Sequence, residues 1–205
     1  MAKGLQPLHT DVEILPMSRP VLVVIGPSAS GKSTAVRELA RRGILRVHPT
    51  WTTRARRADE VEGALEHRFV SDDLFDELEA YDFFLGTVSL PGLSFRYGLP
   101  RPSLLDDGPA DTIMARAPFI DLLADYFPNR IVYQVEDSIE RAYARLVERG
   151  SSADEINARL VGHSDEIDAG HRIAQRVFVN ADFDALVSEM ARAIEADFAR
   201  SGVQR

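Results

Sequence analysis

The stretch "VLVVIGPSASGKST", residues 21–34, opens with five apolar residues and ends on a lysine followed by two hydroxyls. An apolar run without alternation predicts a strand buried on both faces, of the kind found in parallel sheets. Gly26, Gly31, Lys32 and Ser33 satisfy the spacing glycine, four residues, glycine, lysine, serine or threonine, which defines a phosphate-binding loop between a strand and a helix. The chemistry requires this composition. Phosphate oxygens need many donors in a small volume, and backbone amides supply them only where side chains stay out of the way. The N-terminus of the next helix adds its dipole. Lys32 is expected to bridge the outer phosphates, and Ser33 to offer its hydroxyl to Mg²⁺. Ser28, Ser30 and Thr34 complete the expected ATP contacts of the loop.

Outward from the loop, strand and helix patterns alternate. A helix should run from Lys32 to about Gly43, followed by a strand at "ILRVH" (44–48). Residues 50–70 read as loop or short strands. Ser71 caps a helix over 71–80, and "DFFLGTVSL" and "SFRYG" read as two strands joined by a turn at Pro91 and Gly92. Further strands are expected at 111–115, 129–135 and 176–180. Between the first two lies a helix over "PFIDLLADY". In "DSIERAYARLVERG", Ile139, Tyr143 and Leu146 recur at helical spacing and predict the buried stripe of another helix. "SADE" (152–155) has the form of a capping box, and Phe183, Leu186, Met190 and Ile194 mark one stripe of a final helix. The fold class that follows is α/β: a three-layer, phosphate-loop NTPase-type parallel sheet with helices on both faces. Its ligands should sit at the carboxyl ends of the strands.

The chain has 205 residues, and 45% apolar with 27% charged content is ordinary for a globular protein. Its length suits one α/β domain, expected over 20–205 behind an extension at 1–19. The first twenty residues show no apolar core of a signal peptide, and no stretch approaches a membrane span. There is no cysteine, so thiolate metal sites are excluded, and the chain is compatible with a cytoplasmic location. A net charge of −8 argues against general nucleic-acid binding. The charge is uneven, however: from Lys32 to Arg57 there are eight basic residues and one acid, Glu38, which points to a local anion site.

With these motifs in hand, the sequence resembles the guanylate kinase family from about residue 20 to the end. "TWTTRARRADEVEG" (50–63) is similar to the segment with which that family grips the acceptor's phosphate, and Arg54, Arg57 and Glu60 fall on its two arginines and its acid. His67 falls near a phosphate-binding tyrosine, with one extra residue before it, and Tyr97 in "RYG" matches a second. "RLVERGSSADEINARL" (145–160) resembles the family's lid, with Arg145, Arg149 and Arg159 on its three arginines. Asn180 in "VFVNADFD" falls beside the adenine. The resemblance therefore implies a monophosphate-kinase-like lid at about 145–165 and an acceptor-binding insert at about 50–100. It also implies a kinase that moves the γ-phosphoryl of ATP–Mg²⁺ to a small phosphorylated acceptor. Lys32, Arg145, Arg149 and Arg159 would be the catalytic cations. Arg141 reads instead as a surface residue.

The sequence departs from the family where guanine is read. "FFLGTVSLPG" (83–92) and "TIMARAP" (112–118) contain no carboxylate, with Ala115 and Ala117 where aspartates are expected. Ribose 1,5-bisphosphate phosphokinases, whose acceptor has no base, show a partial likeness in "DEINARL". Arg116 either stands in for the lost acids toward an anionic acceptor or is a solvated surface arginine. The alternatives are a true guanylate kinase with altered base recognition and a catalytically silent interaction module. The intact Lys32 and Ser33 weigh against the latter. A GTPase or ATPase switch lacks a clear aspartate at a strand end.

Overall fold

β1 (Leu22–Ile25) lies at the centre of a five-stranded parallel sheet. Its neighbours are β7 (Ala110–Met114) and β8 (Ile131–Glu136), with β2 (Leu45–His48) and β9 (Arg176–Val179) at the edges. The protein is described by a computed structural model covering residues 19–56, 65–89, 94–105, 107–115 and 120–201. The expected turn at Pro91 and Gly92 and nearly all of the 1–19 extension lie outside these residues.

The unalternating apolar run has a direct physical outcome. Leu22 and Val24 enter one core, against Val36 and Leu39 of α1 (Lys32–Arg41) and Leu186 and Met190 of α7 (Phe183–Ser201). Val23 and Ile25 enter the other, with Ile113 and with Leu123 of α3 (Ile120–Tyr126). Full burial of side chains this size stabilises a fold by about 1.5–3 kcal/mol each, so the strand carrying the loop is among the most firmly held parts of the molecule. The layers are those read from the sequence.

A second sheet forms from the segment read as loop or short strands. Its order is β4 (His67–Phe69), β3 (Thr50–Thr52), β6 (Arg96–Pro100), β5 (Phe84–Ser89); β3 and β4 are parallel and the other pairs antiparallel. α2 (Asp72–Ala80) packs there through Phe75, which stacks on Phe84 with ring centroids 4.7 Å apart. Ser71 caps this helix, its hydroxyl accepting from the Leu74 amide at 3.2 Å.

Beyond the sheet, one expectation is corrected and one further helix comes to light. In α4 (Ile139–Glu148) the buried residues are Ala142 and Leu146, whereas Ile139 and Tyr143 are 46% and 52% exposed. The helix thus turns its seam by about one residue, and alanine, small enough for close approach, takes the place given to tyrosine. The chain after α5 (Ala153–Leu160) also breaks at Gly162 and starts another helix, α6 (His163–His171). The capping box at Ser152 and Glu155 is formed in both directions.

Candidate nucleotide and phosphate site

The loop from Gly26 to Gly31 joins β1 to α1 at the carboxyl edge of the parallel sheet. Gly26 has φ +145° and Gly31 φ +92°, and a Cβ at Gly26 would lie 2.0 Å from the Val135 carbonyl oxygen. A side chain there would displace backbone, so the glycine is required by packing as well as by any ligand. α1 begins without a side-chain cap and without an acid in its first turn. By contrast, α2, α4 and α5 are each capped by a serine, at Ser71, Ser138 and Ser152, and carry acids there. An N-terminus with neither a side-chain cap nor an acid is one whose dipole favours an anion.

A cleft opens on this loop. Gly26, Ser28, Ser30, Gly31, Lys32, Ser33 and Thr34 line one wall, and Arg54, His67 and Tyr97 line it as well. The second sheet positions these last three. Register pairs Thr50 with His67 and Thr52 with Tyr97. The Thr50 hydroxyl lies 2.8 Å from His67 Nδ1, and the His67 and Tyr97 rings are 5.9 Å apart. Arg54 is buried, with its guanidinium carbon 5.1 Å from the Phe69 ring centroid, and its Nη1 donates to the Ala55 carbonyl at 2.9 Å. Arg57, Glu60 and Arg116 lie outside the described residues.

The three arginines of the expected lid occupy different settings. Arg149 and Arg159 line the cleft. Arg159 is buried on α5, 5.9 Å from the Phe95 ring centroid, and shares a second cavity with Arg54. Arg149 sits at the end of α4 and is exposed. Arg145 is turned to the back of the loop: it donates to the Ala29 carbonyl and pairs with Asp137. Asp137 has no exposed side-chain surface and also receives Arg141. Burial pushes its pKa up, but hydrogen bonds from Arg145 and Arg141 outweigh this and hold it below the usual carboxylate range. Arg141, read as a surface residue, is thereby the outer member of a shared ion pair.

Asn180 also meets the loop from below. Its Nδ2 donates to the Ser30 carbonyl at 2.9 Å, and its own amide donates to the Glu136 carbonyl at 2.8 Å. The residue expected beside the adenine therefore braces the loop backbone. Sequence reading gave no site role to two charged residues of the cleft, Arg37 and Glu66. They are paired at 2.6 Å, and the only hint was the basic stretch that contains Arg37. Among the described residues no helix is long and apolar enough to cross a membrane.

Comparison with known proteins places these features. No family model matches the chain. It is 30% identical over 194 residues to a guanylate kinase of Symbiobacterium thermophilum, covering 88% of this chain and 87% of that one. It is likewise 30% identical to a guanylate kinase of Trichormus variabilis, over 87% and 91% of the two chains. Among solved structures, guanylate kinase from Anaplasma phagocytophilum superposes with a TM-score of 0.67 at 22% identity, over 90% of this chain and 89% of the other, and so shares the fold. A chain with this phosphate loop, and with this identity over nearly its whole length, belongs to the guanylate kinase family and is an ATP-dependent phosphotransferase.

Proposed function

We propose that the protein transfers the γ-phosphoryl of ATP to a small acceptor already bearing a phosphate, with GMP the first acceptor to test. The observation that supports this is one cleft lined both by the glycine-rich loop and by a second set of cationic and hydroxyl-bearing side chains. The loop from Gly26 to Thr34 would seat the donor, and Arg54, His67 and Tyr97 the acceptor's phosphate. Lys32 and Arg149 would face the phosphoryl group in transit, with Arg159 closing over it. In-line transfer needs little covalent chemistry from the protein, so positioning and charge carry the reaction. Arg145 supports the loop through Ala29 and Asp137. The names of the relatives favour GMP.

Among the described residues no cluster of three or more histidines or acids could hold a metal by itself. The Ser33 hydroxyl at the start of α1 is a hard oxygen donor, which fits Mg²⁺, an ion that keeps waters and binds through substrate phosphates. Ser33 would hold it, and when bound it supplies charge neutralisation on those phosphates.

A second reading, a sugar bisphosphate as acceptor, draws on the sequence. Neither 83–92 nor 112–118 contains a carboxylate, and Ala115 lines the cleft. A site that reads a base by hydrogen bonds loses discrimination when those partners go. A coupled ADP-release screen over nucleoside monophosphates and ribose 1,5-bisphosphate separates the two. GMP as the fastest acceptor supports the first reading, and turnover with sugar phosphates alone supports the second. No ADP release with any acceptor, together with no ATP binding, overturns both.

A further inference from the structure

Glu66 places a carboxylate in the cleft wall immediately before His67. Its side chain is only 4% exposed. Arg37 holds one oxygen, Oε1, from Nε at 2.7 Å and from Nη2 at 2.6 Å. The main chain of Glu66 is fixed as well: its carbonyl accepts from the Thr50 amide at 3.1 Å and from the Thr50 hydroxyl at 3.3 Å. Backbone and side chain are therefore held in one orientation. The second oxygen, Oε2, receives no hydrogen bond among the described residues. A carboxylate is purely an acceptor, and Oε2 is not sealed inside the protein: it keeps access to the cleft, where a donor from outside the chain can reach it.

We infer that Glu66 Oε2 accepts a hydrogen bond from an O–H or N–H group of the phosphorylated acceptor, which makes Glu66 a specificity residue. The inference rests on the phosphotransfer reading for the identity of that molecule. Glu66 adjoins His67 in the chain, and His67 belongs to the proposed phosphate seat. Beside that seat, a sugar hydroxyl, joined to the acceptor's phosphate by fewer bonds than any N–H of a base, is the source favoured; the base N–H is the other source of the same chemistry. Arg37 offsets the repulsion that a carboxylate would otherwise exert on the neighbouring phosphate. The arrangement gives the cleft a reader in a segment where motif matching finds only a loose fit.

The test uses acceptor pairs that differ by one donor: GMP against 2′-deoxy-GMP, GMP against IMP, and ribose 1,5-bisphosphate against its 2-deoxy analogue. Affinities are measured by calorimetry in the presence of a non-hydrolysable ATP analogue, and turnover by ADP release. Wild type should prefer the complete member of one pair by about tenfold or more, the scale of a hydrogen bond to a charged group. Glu66→Ala should bring that ratio close to one, Glu66→Gln should restore part of it, and affinity for the ATP analogue should stay unchanged. Arg37→Lys, which keeps a cation beside Oε1, should retain most of the ratio. Preference for the ribose hydroxyl identifies the sugar, and preference for GMP over IMP identifies the base. Unchanged ratios in both Glu66 variants overturn the proposal. If wild type binds acceptors but releases no ADP, the phosphotransfer reading fails, while the affinity ratios still decide the role of Glu66.

Discussion

The side-chain amide of Asn180 donates to the main-chain carbonyl of Ser30 at 2.9 Å, across 150 positions of sequence. Both residues are buried. Asn180→Ala leaves that carbonyl without its donor, at a cost of about 1–3 kcal/mol. Thermal denaturation should show the loss, and calorimetric titration should show weaker ATP binding. Asn180→Asp, which presents an acceptor to an acceptor, should do at least as much damage.

Gly31 lies against the same amide: a Cβ there would sit 2.1 Å from Asn180 Nδ2, and φ is +92°. Gly31→Ala should therefore weaken ATP binding through both backbone strain and displacement of Asn180. Combined with Asn180→Ala, the two losses should be markedly less than additive, since each disturbs the same contact. A double-mutant cycle on ATP affinity measures this.

Lys32 is half-buried at the first position of α1 and lines the cleft. Lys32→Met should lower kcat/KM by roughly 10²–10³, the usual scale for removing one group that stabilises transition-state charge. The far-UV circular dichroism spectrum should be unchanged. Steady-state kinetics with the best acceptor from the screen gives the number.

Asp137 links acidity to stability. Its folded pKa lies below its unfolded value of about 3.9. The stabilisation is thus fully present above the ordinary carboxylate range and is lost as pH falls through the depressed folded value. At pH 7, Asp137→Asn should cost about 2–4 kcal/mol, less than a fully buried pair because Arg141 is 47% exposed. Urea denaturation of both proteins should show the gap narrowing between pH 5 and pH 2. Arg145 should also lose its orientation toward Ala29, with a fall in ATP affinity at neutral pH.

The central sheet, the loop and the capped helices could be read because their determinants are local: an apolar run, two glycines, a serine three residues before a glutamate. The stripe of α7 was legible for the same reason at Leu186, Met190 and Ile194, all buried, whereas Phe183, at the helix start, is exposed. The second sheet was not, because β3 and β4 are each three residues long and meet across a gap of fourteen positions, from Thr52 to His67. Nothing near Thr50 announces His67 as its partner. In α4 the spacing of three and four residues fits two adjacent stripes, and tertiary packing chose Ala142 and Leu146 over Ile139 and Tyr143. Glu66 was hidden because its counterion, Arg37, lies 29 residues away on α1. Of the groups that line the cleft, the loop was legible from spacing alone, whereas Arg54, His67 and Tyr97 became neighbours only through the pairing of short strands.

Because β1 feeds both cores and runs straight into the phosphate loop, the nucleotide would press on the keystone of the molecule rather than on a peripheral flap. Occupancy should then be felt by the whole chain at once: with saturating ATP, amide exchange should slow on both faces of the parallel sheet, and unfolding should shift as a single cooperative transition by RT ln(1 + [ATP]/Kd).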